Sequence, residues 1–231
     1  EFKKSNEFWS NPKRWETTKE YQVECRFHQL ADNEDIRFYL KHKIEDFATI
    51  AGYELTFEDN FSWNSLNSSK WDVGFHYKSP AFVGKHSFVN EQQSNNHGNN
   101  VTVIAGNLHI VTKEHKNEAL AWHPEKGFVQ KEFNYTSDVI HGRNAVCQKG
   151  GLYRAKMRFG GAKGVLHALS LKGDEKTPHI NICKVDKGEV EVGLYWSSKF
   201  ETNYTSTRIK GLNLSKFFIY SAINKRFTFK C

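Results

Sequence analysis

The segment Pro178-His179-Ile180-Asn181-Ile182-Cys183-Lys184 sets the tightest limit on how this chain folds. Ile180 and Ile182 alternate with His179 and Asn181, the period of two expected of a strand with a single buried face. His179 and Asn181 therefore share a face. Lys184 falls on the opposite face under strict alternation, and a one-residue bulge would return it to theirs. Three polar side chains projecting from a rigid sheet into one place is what a site requires.

From residue 53 onward the chain keeps this β texture. Tyr53–Phe57 alternates, residues 101–104 and 108–112 flank Ala105-Gly106-Asn107 as a hairpin, and residues 189–196 read as the strand after the segment above. Residues 74–100 read as loops. Aromatics are 14% of the chain, with 18 Phe, which suits β-sheets or a sugar-binding surface better than a helical bundle. Residues 1–52 differ. Thr17-x-x-Glu20 is a capping box, followed by an imperfect helical stripe through Val23, Phe27 and Leu30. Asp32 or Asn33 would cap a second helix bearing Ile36, Leu40 and Ile44, with Gly52 as its stop. The expected organisation is a small helical N-terminal extension, residues 1–52, and a β domain, residues 53–231.

The β region resembles glycoside hydrolase family 16, the laminarinase and β-glucanase group. Asp59-Asn60-Phe61 with Leu66-Asn67-Ser68-Ser69-Lys70-Trp71 is similar to the family opening, with Trp71 in the place of a core anchor. Gly106-Asn107-Leu108-His109-Ile110 matches its hairpin, and Tyr135-Thr136-Ser137 its "Tyr-Thr-Ser-Gly", with Asp138 where Gly is usual. Gly151–Arg158 and Gly164–Leu171 follow two further motifs, with Leu166 and Ser170 at the two tryptophan positions of the second. The signature "Glu-Ile-Asp-Ile-x-Glu" falls on residues 179–184. His179, Asn181 and Lys184 thus stand where the family has nucleophile, helper aspartate and acid/base. The resemblance implies a concanavalin-like β-jelly-roll sandwich of two antiparallel sheets, and an extracytoplasmic location, periplasmic or at the cell surface. Helical leaders of this kind occur in similar Bacteroidota proteins. The chain stops at Cys231, where family members have a few further strands.

A retaining glycosidase needs two carboxyl groups about 5–5.5 Å apart. Imidazole does not stabilise an oxocarbenium ion as a carboxylate does, a lysine is a poor acid for a sugar leaving group, and an amide exchanges no proton. The expected function is therefore binding of an oligo- or polysaccharide by a catalytically degenerate relative. His179, Asn181 and Lys184 would supply polar contacts, and Tyr77, Trp122, Tyr195 and Trp196 stacking surfaces. The cationic replacement suggests a ligand carrying carboxylate or sulfate. The alternative is an active hydrolase on β-glucans or galactans using displaced carboxylates, from Asp174, Glu175, Asp186, Glu189 and Glu191.

Other classes find little support. The formal charge is +7, but Lys and Arg are scattered, with no nucleic-acid motif. No phosphate loop or metal-ligand spacing appears, so no cofactor or metal is expected. His76, His86, His97, His115 and His123 lie in loop-like stretches and read as solvated. Cysteines 25, 147, 183 and 231 show no C-x-x-C, and free thiols are the expected state. No stretch has the apolar length of a membrane span. The start at Glu1-Phe2, without an initiator Met, fits removal of a leader.

Overall fold

The computed structural model describes residues 22–28, 35–41, 52–75, 86–148, 150–173, 178–197 and 202–224. Among them the protein is strand and loop, arranged in several sheets. It divides into two compact units, one of residues 1–54 and 148–230, the other of residues 55–147 with 231.

Two segments expected to be helical are strands, β1 (Gln22–His28) and β2 (Asp35–Lys41). The correction has a physical basis in the sequence: Val23, Cys25 and Phe27, like Ile36, Phe38 and Leu40, alternate with period two. Antiparallel pairing of β1 with β2 then overrides a weak helical preference. The remainder of the expected helical segment lies outside the described residues.

The second unit holds β3 (Asp72–Val73), β4 (Ser87–Phe88), β5 (Gln93–Asn95), β6 (Val101–Ile104), β7 (Asn107–Ile110), β8 (Lys113–His123), β9 (Gly127–Ser137) and β10 (Ile140–His141). The β8–β9 hairpin is its spine, with β4 and β5 added on either side. Ala121 and Phe133 point to its buried side, at 0% and 1% exposure. The expected β6–β7 hairpin forms, turning through Ala105 and Gly106, both at positive φ. Trp71 anchors the start of this unit. Its indole nitrogen donates to Asp59 Oδ2 at 2.8 Å, and its ring packs against Phe57 and Phe61.

Asp138 fixes the loop before β6. Its carboxylate accepts the backbone N–H groups of Asn96, Gly98 and Asn100 at 3.0, 3.1 and 2.9 Å. Asn100 is itself buried, and its amide donates to the carbonyls of Val111 and Thr136. The residue that stands where the resemblance places a glycine thus ties the loop of residues 96–100 to the end of β9 through charge-assisted hydrogen bonds.

The first unit continues with β11 (Gly151–Met157), β12 (His167–Lys172), β13 (His179–Asp186), β14 (Glu189–Ser197), β15 (Thr202–Ile209) and β16 (Phe218–Asn224). One sheet runs β1-β2-β16-β11 and the other β12-β13-β14-β15, all antiparallel. Ile180, Ile182, Cys183 and Val185 of β13, Val190, Val192 and Leu194 of β14, and Phe218, Tyr220 and Ala222 of β16 share one buried cluster. Each large aliphatic there contributes about 1.5–3 kcal/mol through burial. Cys183 is the buried free thiol expected, its pKa pushed up to about 12 by burial. Cys147 departs from that expectation, being disulfide-bonded; pairing leaves no trace in cysteine spacing.

Replacing Asp138 with Ala would leave three backbone donors without their acceptor. Loss of about 3 kcal/mol of stability is expected, measured by urea unfolding of Asp138→Ala beside the parent.

Candidate functional site

The strand β13 carries the bulge that the sequence invited. Asn181 pairs with Gly193 and Lys184 with Glu191, so three steps on β13 match two on β14. The ladder to β12 shifts at the same place, with Cys183 opposite Leu169 and Asn181 opposite Ser170. Ile182 and Cys183 both enter the core. Lys184 consequently returns to the face of His179 and Asn181.

This puts three cross-strand rows on the outer face of the sheet. The first is Lys172, His179, Tyr195 and Tyr204; the second Ser170, Asn181, Gly193 and Ser206; the third Ala168, Lys184, Glu191 and Arg208. On β12 the outer side chains Ala168, Ser170 and Lys172 are exposed, leaving that end open. Ser170 stands where the family resemblance places a tryptophan, and the absence of a large ring there contributes to the opening.

In the first row the rings stack in series. His179 lies 5.4 Å from Tyr195, and Tyr195 4.0 Å from Tyr204 at an interplanar angle of 22°. Tyr195 is half-buried, with one face stacked on Tyr204 and His179 tilted against it. Tyr204, 39% exposed on the edge strand, keeps its outer surface accessible. His179 has a pKa lowered by burial and by Lys172, against a hydrogen bond to Asn181 that raises it. It is neutral at physiological pH. Its Nε2 is buried without a hydrogen-bond partner. Asn181 is buried and serves to orient His179.

The third row is built around Glu191, a buried carboxylate. Tyr204 donates its hydroxyl to Oε1, Arg208 donates Nε to Oε2 at 3.0 Å, and the Lys184 ammonium lies 3.6 Å from Oε1. Burial alone would raise the Glu191 pKa. The Tyr204 hydroxyl, Lys184 and Arg208 outweigh it and hold the carboxyl below its ordinary range. Tyr204 is pushed up to about 12, first by burial and then by Glu191. The phenol reaches Glu191 across Gly193, where a Cβ would sit 2.8 Å from Tyr204 Oη and 2.9 Å from the Thr205 carbonyl. Only glycine fits there.

The structure thus brings together His179, Asn181, Lys184 and Tyr195. Trp196, adjacent in sequence to Tyr195, packs against the core on the other side of the sheet, as alternation demands. It is not a surface platform. Trp122 lies on β8 of the second unit, edge-on to Phe128 at 5.2 Å. Tyr77, Asp174 and Glu175 lie outside the described residues. Glu189 is held by Lys210 at 3.1 Å and by Arg208 at 3.6 Å. Tyr204 and Arg208 are site residues that the sequence reading missed. Their strand reads Thr-Asn-Tyr-Thr-Ser-Thr-Arg-Ile, polar on both faces, so no hydrophobic period marks it. Among the described residues no group of three or more His, Cys, Asp or Glu side chains is placed to hold a metal ion.

Because the folded Glu191 binds its proton less tightly than the unfolded chain, its contribution to stability is complete above its ordinary value of 4.5 and is lost as pH falls below it. Denaturant midpoints measured against pH should show an acid limb that flattens in Glu191→Gln. That variant should also be less stable than the parent at neutral pH, since it leaves Lys184 and Arg208 facing an amide.

No protein-family profile and no curated protein sequence matches the chain. Solved structures do resemble it. An endo-acting O-glycanase of the human gut microbiota, described as initiating mucin breakdown, superposes with a TM-score of 0.57 at 18% identity, over 75% of this chain and 66% of its own. The catalytic domain of an endo-1,3-β-glucanase (laminarinase) from Thermotoga petrophila gives 0.54 at 15% identity, over 76% and 71%. The laminarinase catalytic domain from Thermotoga maritima gives 0.53 at 16% identity, over 73% and 68%. This chain therefore spans slightly less than two thirds of the O-glycanase. The bulged strand, the two-sheet core and these superpositions agree on the architecture: the chain has the glycoside hydrolase family 16-like fold of the laminarinases.

Proposed function

We propose that this protein is a carbohydrate-binding relative of the family 16 glycoside hydrolases, with the outer face of β12–β15 as its polysaccharide site. One observation carries the reading: the β13 bulge gathers His179, Asn181 and Lys184 beside Tyr204 and Arg208, on the strand that resembles the family's catalytic signature. The face offers a ring edge, hydroxyls and an open end at β12, the mixture a sugar needs.

The same face argues for binding over turnover. Glu191, the carboxylate beside Lys184, is ionised and occupied by three partners, so it is neither a free nucleophile nor a proton donor, and Glu189, further along the same face, is held by Lys210 and Arg208. Lys172, at the open β12 end, has no acid in its row, which favours a glycan carrying carboxylate or sulfate there. The finer architecture we assign is the concanavalin-like jelly roll of the laminarinases. The Cys147 disulfide favours an oxidising, extracytoplasmic setting. No helix among the described residues is long and apolar enough to cross a membrane.

Calorimetric titration with neutral and acidic oligosaccharides tests this. Acidic ligands should bind more tightly, and Lys184→Ala should weaken them by about fivefold while changing neutral ligands little, a loss of about 1 kcal/mol. Reducing-sugar release from laminarin, lichenan, agarose and carrageenan should stay at background. Turnover abolished by Glu191→Gln would instead make the protein a hydrolase with a displaced carboxylate.

A further inference from the structure

The second unit contains a pocket of about 300 Å³ beside the β8–β9 hairpin, lined by His86, Asn95, His97, Glu118, Leu120 and Gln130. Histidines 86 and 97, eleven residues apart in a stretch that reads as solvated loop, meet here. Three features mark it as a built site.

The first is an unmet donor. Asn95 Nδ2 is buried and has no hydrogen-bond partner. Leaving a buried amide nitrogen unpaired costs about 1–3 kcal/mol, which a ligand acceptor would recover once the Asn95 side chain turned into the pocket it lines. The serines nearby offer no relief. Ser87 Oγ already accepts the Asn95 backbone N–H at 3.0 Å, and Ser94 Oγ is engaged by the Asn117 side chain.

The second is backbone strain in a fixed loop. His97 has φ 55°, a left-handed conformation uncommon for residues other than glycine. The Asp138 carboxylate grips the amides of Asn96 and Gly98 on either side of it. Strain held this firmly at a pocket wall is a mark of pre-organisation.

The third is the chemistry of the wall. His86 packs on Phe128 at 4.9 Å, and burial followed by the neighbouring His97 lowers its pKa, so it is neutral at physiological pH. The neutral His86 imidazole donates and accepts, the Asn95 amide donates, the Glu118 side chain accepts, and Leu120 gives an apolar patch. An anion would face Glu118. A bare cation would leave Asn95 Nδ2 unmet, and the described His, Cys, Asp and Glu side chains form no metal-holding group. Hydroxyl groups, which donate and accept at once on a ring with an apolar face, match every element.

We propose that this pocket is a second carbohydrate site, which takes one neutral pyranose unit. None of its residues belongs to β12–β15.

Saturation-transfer NMR and calorimetry with methyl β-glucoside, methyl β-galactoside and, as the acidic counterpart, glucuronate test the proposal on the full chain. At least one neutral glycoside should bind saturably in the millimolar range. Asn95→Ala should weaken it about tenfold or more, as should His97→Asn, a substitution that keeps a residue tolerant of the left-handed conformation. Urea unfolding of each variant establishes that the fold is retained. Binding of glucuronate alone, or no binding of either neutral glycoside, would overturn the proposal. So would binding that Tyr204→Ala removes and Asn95→Ala leaves intact, which would assign the sugar to the other face.

Discussion

One extra residue in β13 holds the site together. Strand faces alternate without exception unless the ladder is broken, and breaking it between Asn181 and Lys184 costs a pair of interstrand hydrogen bonds. The cost is offset because Ile182 and Cys183 both gain buried positions among Val192, Leu194 and the β16 side chains. The core therefore enforces the displacement that aligns Lys184 with Glu191 and Arg208. Without it Lys184 would be driven toward the apolar interior, where an unpaired ammonium is costly.

The rows make the outer face a single electrostatic object. Tyr204 links the ring row to the charged row, stacking on Tyr195 with its ring and donating to Glu191 with its hydroxyl. Glu191 is correspondingly held ionised by neighbours from the two strands that flank it, β13 and β15. A catalytic acid needs the opposite, a carboxyl whose proton can come and go near the working pH. Tyr204, Arg208 and Lys184 hold Glu191 away from that role.

How much of this was legible depended on hydrophobic contrast. Residues 178–184 announce themselves because Ile180 and Ile182 are strongly apolar between polar neighbours, and even the bulge follows from asking how Lys184 could join His179. β15 lacks that contrast, so Tyr204 and Arg208 stayed hidden although they complete both rows. Tyr195 and Trp196 show a different failure: two adjacent aromatics on a strand must part company, and the core took the tryptophan. In β1 and β2, charged residues between the alternating apolar ones resembled a helical stripe, and only pairing along β16 resolved the ambiguity. Asp138 was noticed as a departure from the family's glycine, but its three amide partners lie about forty positions upstream, beyond any local pattern.

Gly193 has an implication for how this protein could change over generations. Its missing side chain is the passage through which the Tyr204 phenol reaches Glu191, so the acid is caged by an empty space rather than by a residue that could simply be swapped. Glutamates placed at 179 and 184 alone would leave Tyr204 and Arg208 gripping Glu191 on the neighbouring strand. Mutational drift that fills the gap would push the phenol away and loosen the cage from within.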